Sequence, residues 1–179
     1  TEGAVKAGDT VLVQGTGGVA LFALLFAKAS GARVIVTSSS DEKLHRAQAM
    51  GAFAGVNYRQ NPEWAEAVLD LTDGRGVDHV IEVGGPQSFE QSLKASARCG
   101  QINVIGYLGG KDGAINPLDI FRKQVQVRGI PVGSRESFEA MVRAIETLDV
   151  KPVIDRTFFW TEVAAAIHYL EGGSHFGKV

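Results

Sequence analysis

The run Thr10-Val-Leu-Val-Gln14 is apolar and β-branched, and it empties directly into Gly15-Thr16-Gly17-Gly18, followed by an apolar-rich stretch to Ala29. Glycines packed this closely at a strand-to-helix junction leave the chain few options. The strand must turn sharply, the helix must start at once, and the turn is stripped of side chains where something else can approach. The same alternation repeats downstream. Strands are expected at 10–14, 32–37, 54–58, 76–83, 100–106 and 125–130, and helices at 18–29, 41–50, 62–72, 87–97, 117–124 and 137–148. The strands are apolar on both faces, as in a parallel sheet covered by helices on each side. Right-handed crossovers then predict an α/β, doubly wound, six-stranded parallel sheet in the order 3-2-1-4-5-6. After it comes a segment of different character, with a strand at 153–159, a helix at 161–171 and the start of another strand.

Bulk properties narrow the function classes. The 179 residues carry a net charge of −2. With a pI near 6.1, there is no electrostatic case for nucleic acid or an anionic membrane as partner. The lone cysteine, Cys99, excludes a disulfide framework within the chain and fits a reducing, cytoplasmic compartment. No apolar run is long enough to span a bilayer, and TEGAVKAGDT has no signal pattern. There is no starting Met, and both ends read as cut, as in a piece of a longer protein.

Gly15-Thr16-Gly17-Gly18-Val19-Ala20 fits G-x-G-x-x-G/A, with Ala20 in the last place. Gly15 permits the turn out of the strand, Gly17 lets a pyrophosphate reach the main chain, and Ala20 keeps the helix close to the sheet. The helix N-terminus then faces the phosphates. Its place after a strand and before a helix lifts the pattern above a bare tight turn. A cofactor lacking a 2′-phosphate calls for a carboxylate at the end of the second strand. That strand instead ends Thr37-Ser38-Ser39-Ser40, and Asp41 falls in the next helix. Small hydroxyls accommodate a 2′-phosphate, Lys43 adds charge, and Tyr58 and Arg59 flank the adenosine. The reading favours NADP, with NAD as the alternative. Ser39-x-x-Glu42 also reads as a helix capping box.

These stretches resemble the cofactor domain of the medium-chain dehydrogenase/reductase superfamily, in its zinc-type alcohol dehydrogenase-like and quinone oxidoreductase-like branch. GVDHVIEVGGP (76–86), GQINVIGYLGG (100–110), VRGIPVGSRESFEAM (127–141) and the tail ending HFGKV extend the similarity over essentially the whole chain. The resemblance implies a Rossmann domain over 1–133 and a segment, 134–179, returning towards a GroES-like catalytic domain that this chain lacks. That absent domain would supply substrate contacts and hold zinc where there is one. The resemblance also implies pyrophosphate on the backbone of Thr16 to Val19, including Gly17 and Gly18, and Ser38, Ser39, Lys43 and Tyr58 around the ribose and its phosphate. Val83, Ile105, Gly106 and Tyr107 would line the cleft. Ile130 and Val132 would offer main-chain groups to the nicotinamide carboxamide, and Lys178 would be the basic residue near the cofactor. The sixth strand commonly pairs with its copy in a homodimer, although Pro131 removes one donor from that edge.

The implied activity is hydride transfer between nicotinamide and a carbonyl, alcohol or activated alkene, with this chain binding cofactor and catalysing nothing alone. Two rivals are a dinucleotide-sensing regulatory module and an enoyl reductase module of a larger synthase. Sensing modules usually keep the strand-two acid and lack the HFGKV tail. Among the remaining polar residues, His45 reads as solvated, and His79 and His168 lack partners at metal-ligand spacing. His175 lies beside Lys178, close enough to approach the cleft. Cys99 reads as small and semi-buried, Asp78 as a strand start, and Glu82 as a structural hydrogen-bonding group. Phe158, Phe159 and Trp160 form an apolar cluster expected to be exposed in a chain of this extent.

Overall fold

In the computed structural model, which describes residues 4–179, the six strands form one parallel sheet in the order β3-β2-β1-β4-β5-β6. Thr1–Gly3, the start of the stretch read for a signal pattern, lie outside the described residues. The strands are β1 (Thr10–Gln14), β2 (Arg33–Ser38), β3 (Ala54–Asn57), β4 (Val77–Glu82), β5 (Ser96–Val104) and β6 (Gln126–Gly129). The helices are α1 (Gly18–Ala29), α2 (Asp41–Ala49), α3 (Trp64–Asp70), α4 (Pro86–Ala95), α5 (Pro117–Lys123), α6 (Arg135–Leu148) and α7 (Val163–Glu171). The predicted strand order holds.

Successive strand residues point to opposite faces, and the core divides accordingly. Leu12 and Ile35 pack against Trp64, Ala65 and Val68 of α3 and Phe89 and Leu93 of α4. Val11, Val13, Val34 and Val36 pack on the other face, against α1, α2 and Phe176 from the C-terminal tail. Both faces of β1 and β2 are therefore dry, which is why their sequences show no polar alternation. No membrane-length apolar helix occurs among the described residues.

The sequence and the structure part in four places. Helix α4 stops at Ala95 and β5 begins at Ser96, earlier than expected, because the Lys123 ammonium donates to the carbonyls of Leu93, Lys94 and Ser96 at 2.6–2.9 Å. Residues 153–159 form no strand. Their strand-like pairing is confined to Lys178, through Lys178 N–H to Val153 O and Asp155 N–H to Lys178 O, and Phe159 instead bonds Glu162. Cys99 is exposed, at a backbone φ of 60°. The cap of α2 is Ser40, whose Oγ accepts from Lys43 N–H at 3.4 Å; the expected Ser39 box does not form.

Parallel strands bring all their C-terminal ends to one edge, and strand order reverses there between β1 and β4. A buried polar network sets the shape of that crevice. Glu82, fully buried at the end of β4, accepts from Gly84 N–H at 2.8 Å, Gly85 N–H at 3.0 Å and the Ser88 hydroxyl at 2.6 Å. Its other oxygen accepts from Gln14 Nε2 at 2.7 Å and from the Ser92 hydroxyl. Gln14 Oε1 in turn accepts from Val83 and Gly84 N–H at 3.1 and 3.2 Å. Every partner of Glu82 donates, as an acceptor-only carboxylate requires. Replacing Glu82 by Ala orphans these donors together, and is expected to cost roughly 3 kcal/mol or more. Urea unfolding measures it; a loss below about 1 kcal/mol would show that the network does not hold the crevice.

Candidate functional site: the crevice at the β1–β4 edge

The glycine turn is built from the end of β1. Gly15 has φ +78°, a left-handed conformation, and donates its N–H to Thr37 O at 2.8 Å, which ties the turn to β2. Gly17 is the N-cap of α1, which has no side-chain cap and no acidic residue in its first turn. The positive end of the helix dipole thus meets no anion from α1's own first turn. Gly17 itself has φ −80°. A Cβ there would meet nothing closer than His175 Nε2, at 4.0 Å. Neither conformation nor packing within the chain demands a glycine at this position.

The tail closes over the turn. Gly177 N–H donates to Thr16 O at 2.9 Å, and Gly17 and Gly177 form a parallel bridge. The Lys178 side-chain stem lies directly against Gly18, 2.5 Å from where a Cβ would stand. Val19, at the start of α1, is exposed. Thr16, Gly17, Gly18, Val19 and Lys178 are therefore gathered at one place.

A cleft of about 410 Å³ opens beside the turn, lined in part by Gln14, Gly15, Thr37, Tyr58, Val83 and Leu108. Tyr58 is positioned by its N–H donating to Ser38 O at 3.1 Å. The loop after β4 is zipped to the loop after β5: Ile105 N–H donates to Glu82 O, Leu108 N–H to Val83 O and Gly109 N–H to Gly84 O, at 2.8–2.9 Å. That pairing brings Ile105, Gly106 and Tyr107 to the same edge as Val83. Ile130 continues β6, its N–H donating to Val104 O at 2.9 Å, and Val132 beyond it is exposed. Thr37, Leu108 and Gly109 line the cleft without having been singled out from the sequence, since their signal is only register.

The end of β2 is neutral. Ser38 is buried and its Oγ accepts from Ser40 N–H at 3.3 Å, while Ser39 is half-buried beside it. The nearest acid, Asp41, turns away: its carboxylate accepts from Asn57 Nδ2 at 2.7 Å and Gln60 Nε2 at 2.6 Å. Those bonds hold its carboxyl below the usual carboxylate range. Lys43 reaches the tail, donating to Gly173 O at 2.7 Å. Burial pushes its ammonium below the ordinary lysine value, with Asp155 opposing. The edge thus offers hydroxyls, one lysine and the helix N-terminus, with no carboxylate facing inward from β2.

The groups present do not fit a metal ion. Among the described residues no three His, Cys, Asp or Glu side chains gather as a metal requires. A dinucleotide does fit: the space above Gly15 is open, nothing comes nearer than 4.0 Å to a Cβ position on Gly17, and the helix behind them has no side-chain cap.

Comparison with known proteins agrees with this architecture. Residues 18–147 match the family described as zinc-binding dehydrogenase. A zinc-type alcohol dehydrogenase-like protein of Schizosaccharomyces pombe is 44% identical over 179 residues, covering 98% of this chain and 52% of that protein. A solved NAD-dependent alcohol dehydrogenase superposes with a TM-score of 0.91 at 35% identity, over 98% of this chain and 51% of that one. A mycobacterial protein solved in complex with NADPH gives 0.85 at 28% identity, over 97% and 57%. The chain thus spans about half the length of the relatives it matches. On fold, on crevice and on sequence alike, it belongs to the zinc-binding dehydrogenase family, in the medium-chain dehydrogenase/reductase superfamily.

Proposed function

We propose that this chain is the NADP(H)-binding half of an oxidoreductase that moves hydride between nicotinamide and a carbonyl, alcohol or activated alkene. The observation that carries the reading is Gly17. The chain's own conformation and packing leave room for a side chain there, so its absence is explained by a ligand that must touch the backbone. Two similar structures, an NAD-dependent alcohol dehydrogenase and a mycobacterial protein complexed with NADPH, support a nicotinamide cofactor.

In this reading the backbone from Thr16 to Val19 holds the pyrophosphate, and the α1 N-terminus and Lys178 balance its charge. Ser38, Ser39 and Lys43 take the ribose and its 2′-phosphate, and Tyr58 flanks the adenosine. Val83, Ile105, Gly106 and Tyr107 line the path of the cofactor, and the main chain at Ile130 and Val132 meets the carboxamide. The preference for NADP follows from the β2 edge, where Asp41 is engaged by Asn57 and Gln60. The cofactor supplies the hydride chemistry when bound; the chain binds and orients it.

The segment from about residue 134 is proposed to pack on a second domain that brings the substrate contacts. Phe159 and Trp160 are more than four-fifths exposed, and α6 and α7 bury no residue. The groove they border is lined by Ile154, Phe158, Val163 and Leu170, apolar surface suited to such a neighbour. The domain boundary, 1–133 against 134–179, is the one the family resemblance implies, and the exposure of α6 and α7 is compatible with it. Whether copies of the chain pair through β6 falls under the same proposal: β6 is an exposed edge, and Pro131 withholds a donor just beyond it.

Three outcomes are expected. Gly17→Ala, at the N-cap of α1, lowers stability by no more than about 1 kcal/mol, yet weakens NADPH binding at least about tenfold through loss of close approach. Equal binding by the variant would mean that the turn serves no ligand. Calorimetric titration gives tighter binding of NADPH than of NADH, and Lys43→Glu inverts that order. The unaltered chain oxidises no NADPH in the presence of aldehydes, ketones or quinones, as followed by the absorbance of the reduced nicotinamide; turnover by the chain alone would overturn the division of labour.

A further inference from the structure

The tail places an imidazole where the glycine turn is barest. The Gly177–Thr16 hydrogen bond and the Gly17–Gly177 bridge fix the backbone two residues beyond His175. They leave its Nε2 4.0 Å from the point a Cβ on Gly17 would occupy. The buried Nδ1 of the same ring has no hydrogen-bond partner. Buried ring nitrogens are ordinarily paired, so this ring is held by the tail backbone rather than by polar anchors of its own. Its Nε2 edge faces the space a ligand would fill.

We propose that His175 is a phosphate-binding residue of the dinucleotide site, its Nε2–H donating to a pyrophosphate oxygen above Gly17, with uptake of a proton from solvent when the dinucleotide binds. The inference rests on the cofactor reading above and adds a residue and a pH dependence to it. Lys43 from α2 and Asp155 from the segment before α7 act on the ring; Arg46 of α2 and Tyr169 of α7 both engage Asp155, the latter donating its hydroxyl at 2.7 Å, and Lys178 lies against Gly18. In the free chain, burial and then Lys43 hold His175 below the ordinary histidine value, with Asp155 opposing. The ring is therefore neutral just above pH 7. A pyrophosphate within hydrogen-bond reach adds negative charge on the side facing Gly17, and together with Asp155 it favours the imidazolium. Because the bound-state pKa lies above the free-state one, binding is strongest at low pH. It weakens as pH rises through the bound-state value.

The test is calorimetric titration of the 179-residue chain with NADH, whose pyrophosphate has no group titrating near neutrality. It is run just above pH 7 in two buffers of low and high ionisation enthalpy, and repeated across the pH range from mildly acidic to mildly alkaline. The expected result is a heat that depends on the buffer in the sense of proton uptake, and an affinity falling about tenfold towards alkaline pH, the size of one charge-assisted hydrogen bond. His175→Gln, which keeps a donor but cannot titrate, should abolish both effects while unfolding at the wild-type temperature. Buffer-independent heat in the wild type overturns the proposal, as does uptake that persists in His175→Gln. If that variant does not fold, His175→Asn, which likewise keeps a donor and cannot titrate, takes its place with the same two outcomes. Failure of the wild type to bind either NADH or NADPH is a separate result, which removes the cofactor reading itself.

Discussion

A single buried carboxylate organises the functional edge of this sheet. Glu82 ends the fourth strand, and its two oxygens gather donors from β1, from the loop after β4 and from α4. Left unpaired it would be expensive in so dry a position. Fully paired, it converts that cost into geometry: it fixes the spacing of β1 and β4 where the strand order reverses, and it curls the Val83–Gly85 backbone. The curled loop then holds the next one, through Val83 O and Gly84 O accepting from Leu108 and Gly109. The crevice is therefore a consequence of polar satisfaction at one point, carried outward by backbone hydrogen bonds.

The glycine turn depends on a second constraint, from the far end of the chain. The tail brings Phe176 into the core beside α1 and α2, and this anchor lets Gly177 bond Thr16 and sets Lys178 against Gly18. Arg46 lies over the Phe176 ring at 4.0 Å and pairs with Asp155 at 3.7 Å. The turn, α2 and the tail thus form one unit, in which Lys43, His175 and Lys178 cluster about the helix N-terminus. The charges of the two lysines are what an anion at this place requires, and the neutral end of β2 is consistent with it.

The apolar surface of the C-terminal segment has another character. Phe159 and Trp160 stand in solvent while every apolar residue of β1 is buried. The two halves of the core are closed by α1 to α4 and Phe176; α6 and α7 contribute nothing buried. The chain, which covers about half the length of its relatives, carries a six-stranded sheet and a segment whose apolar side chains are exposed.

Much of this was legible in the residues themselves. Apolar runs of strand length, punctuated by glycine and separated by amphipathic stretches, dictate a parallel sheet with helices on both faces. Handed crossovers then leave little choice of strand order. The G-x-G-x-x-A turn is local, so its place after β1 and its role as a helix start were readable too, as was the structural part played by Glu82. What only the tertiary structure decided lies in contacts between residues far apart in sequence. Lys123 ends α4 from another helix, and Asn57 and Gln60 turn Asp41 away from the crevice. Ser40 rather than Ser39 caps α2, Cys99 is turned out to solvent, and residues 153–159 form only an isolated bridge to Lys178 rather than a strand. His175 and Lys178 reach the glycine turn across most of the chain. Periodicity and turn chemistry are short-range and are written into neighbouring residues. Which carbonyl a lysine finds, or which side chain faces a turn, depends on how the packed layers bring distant segments together.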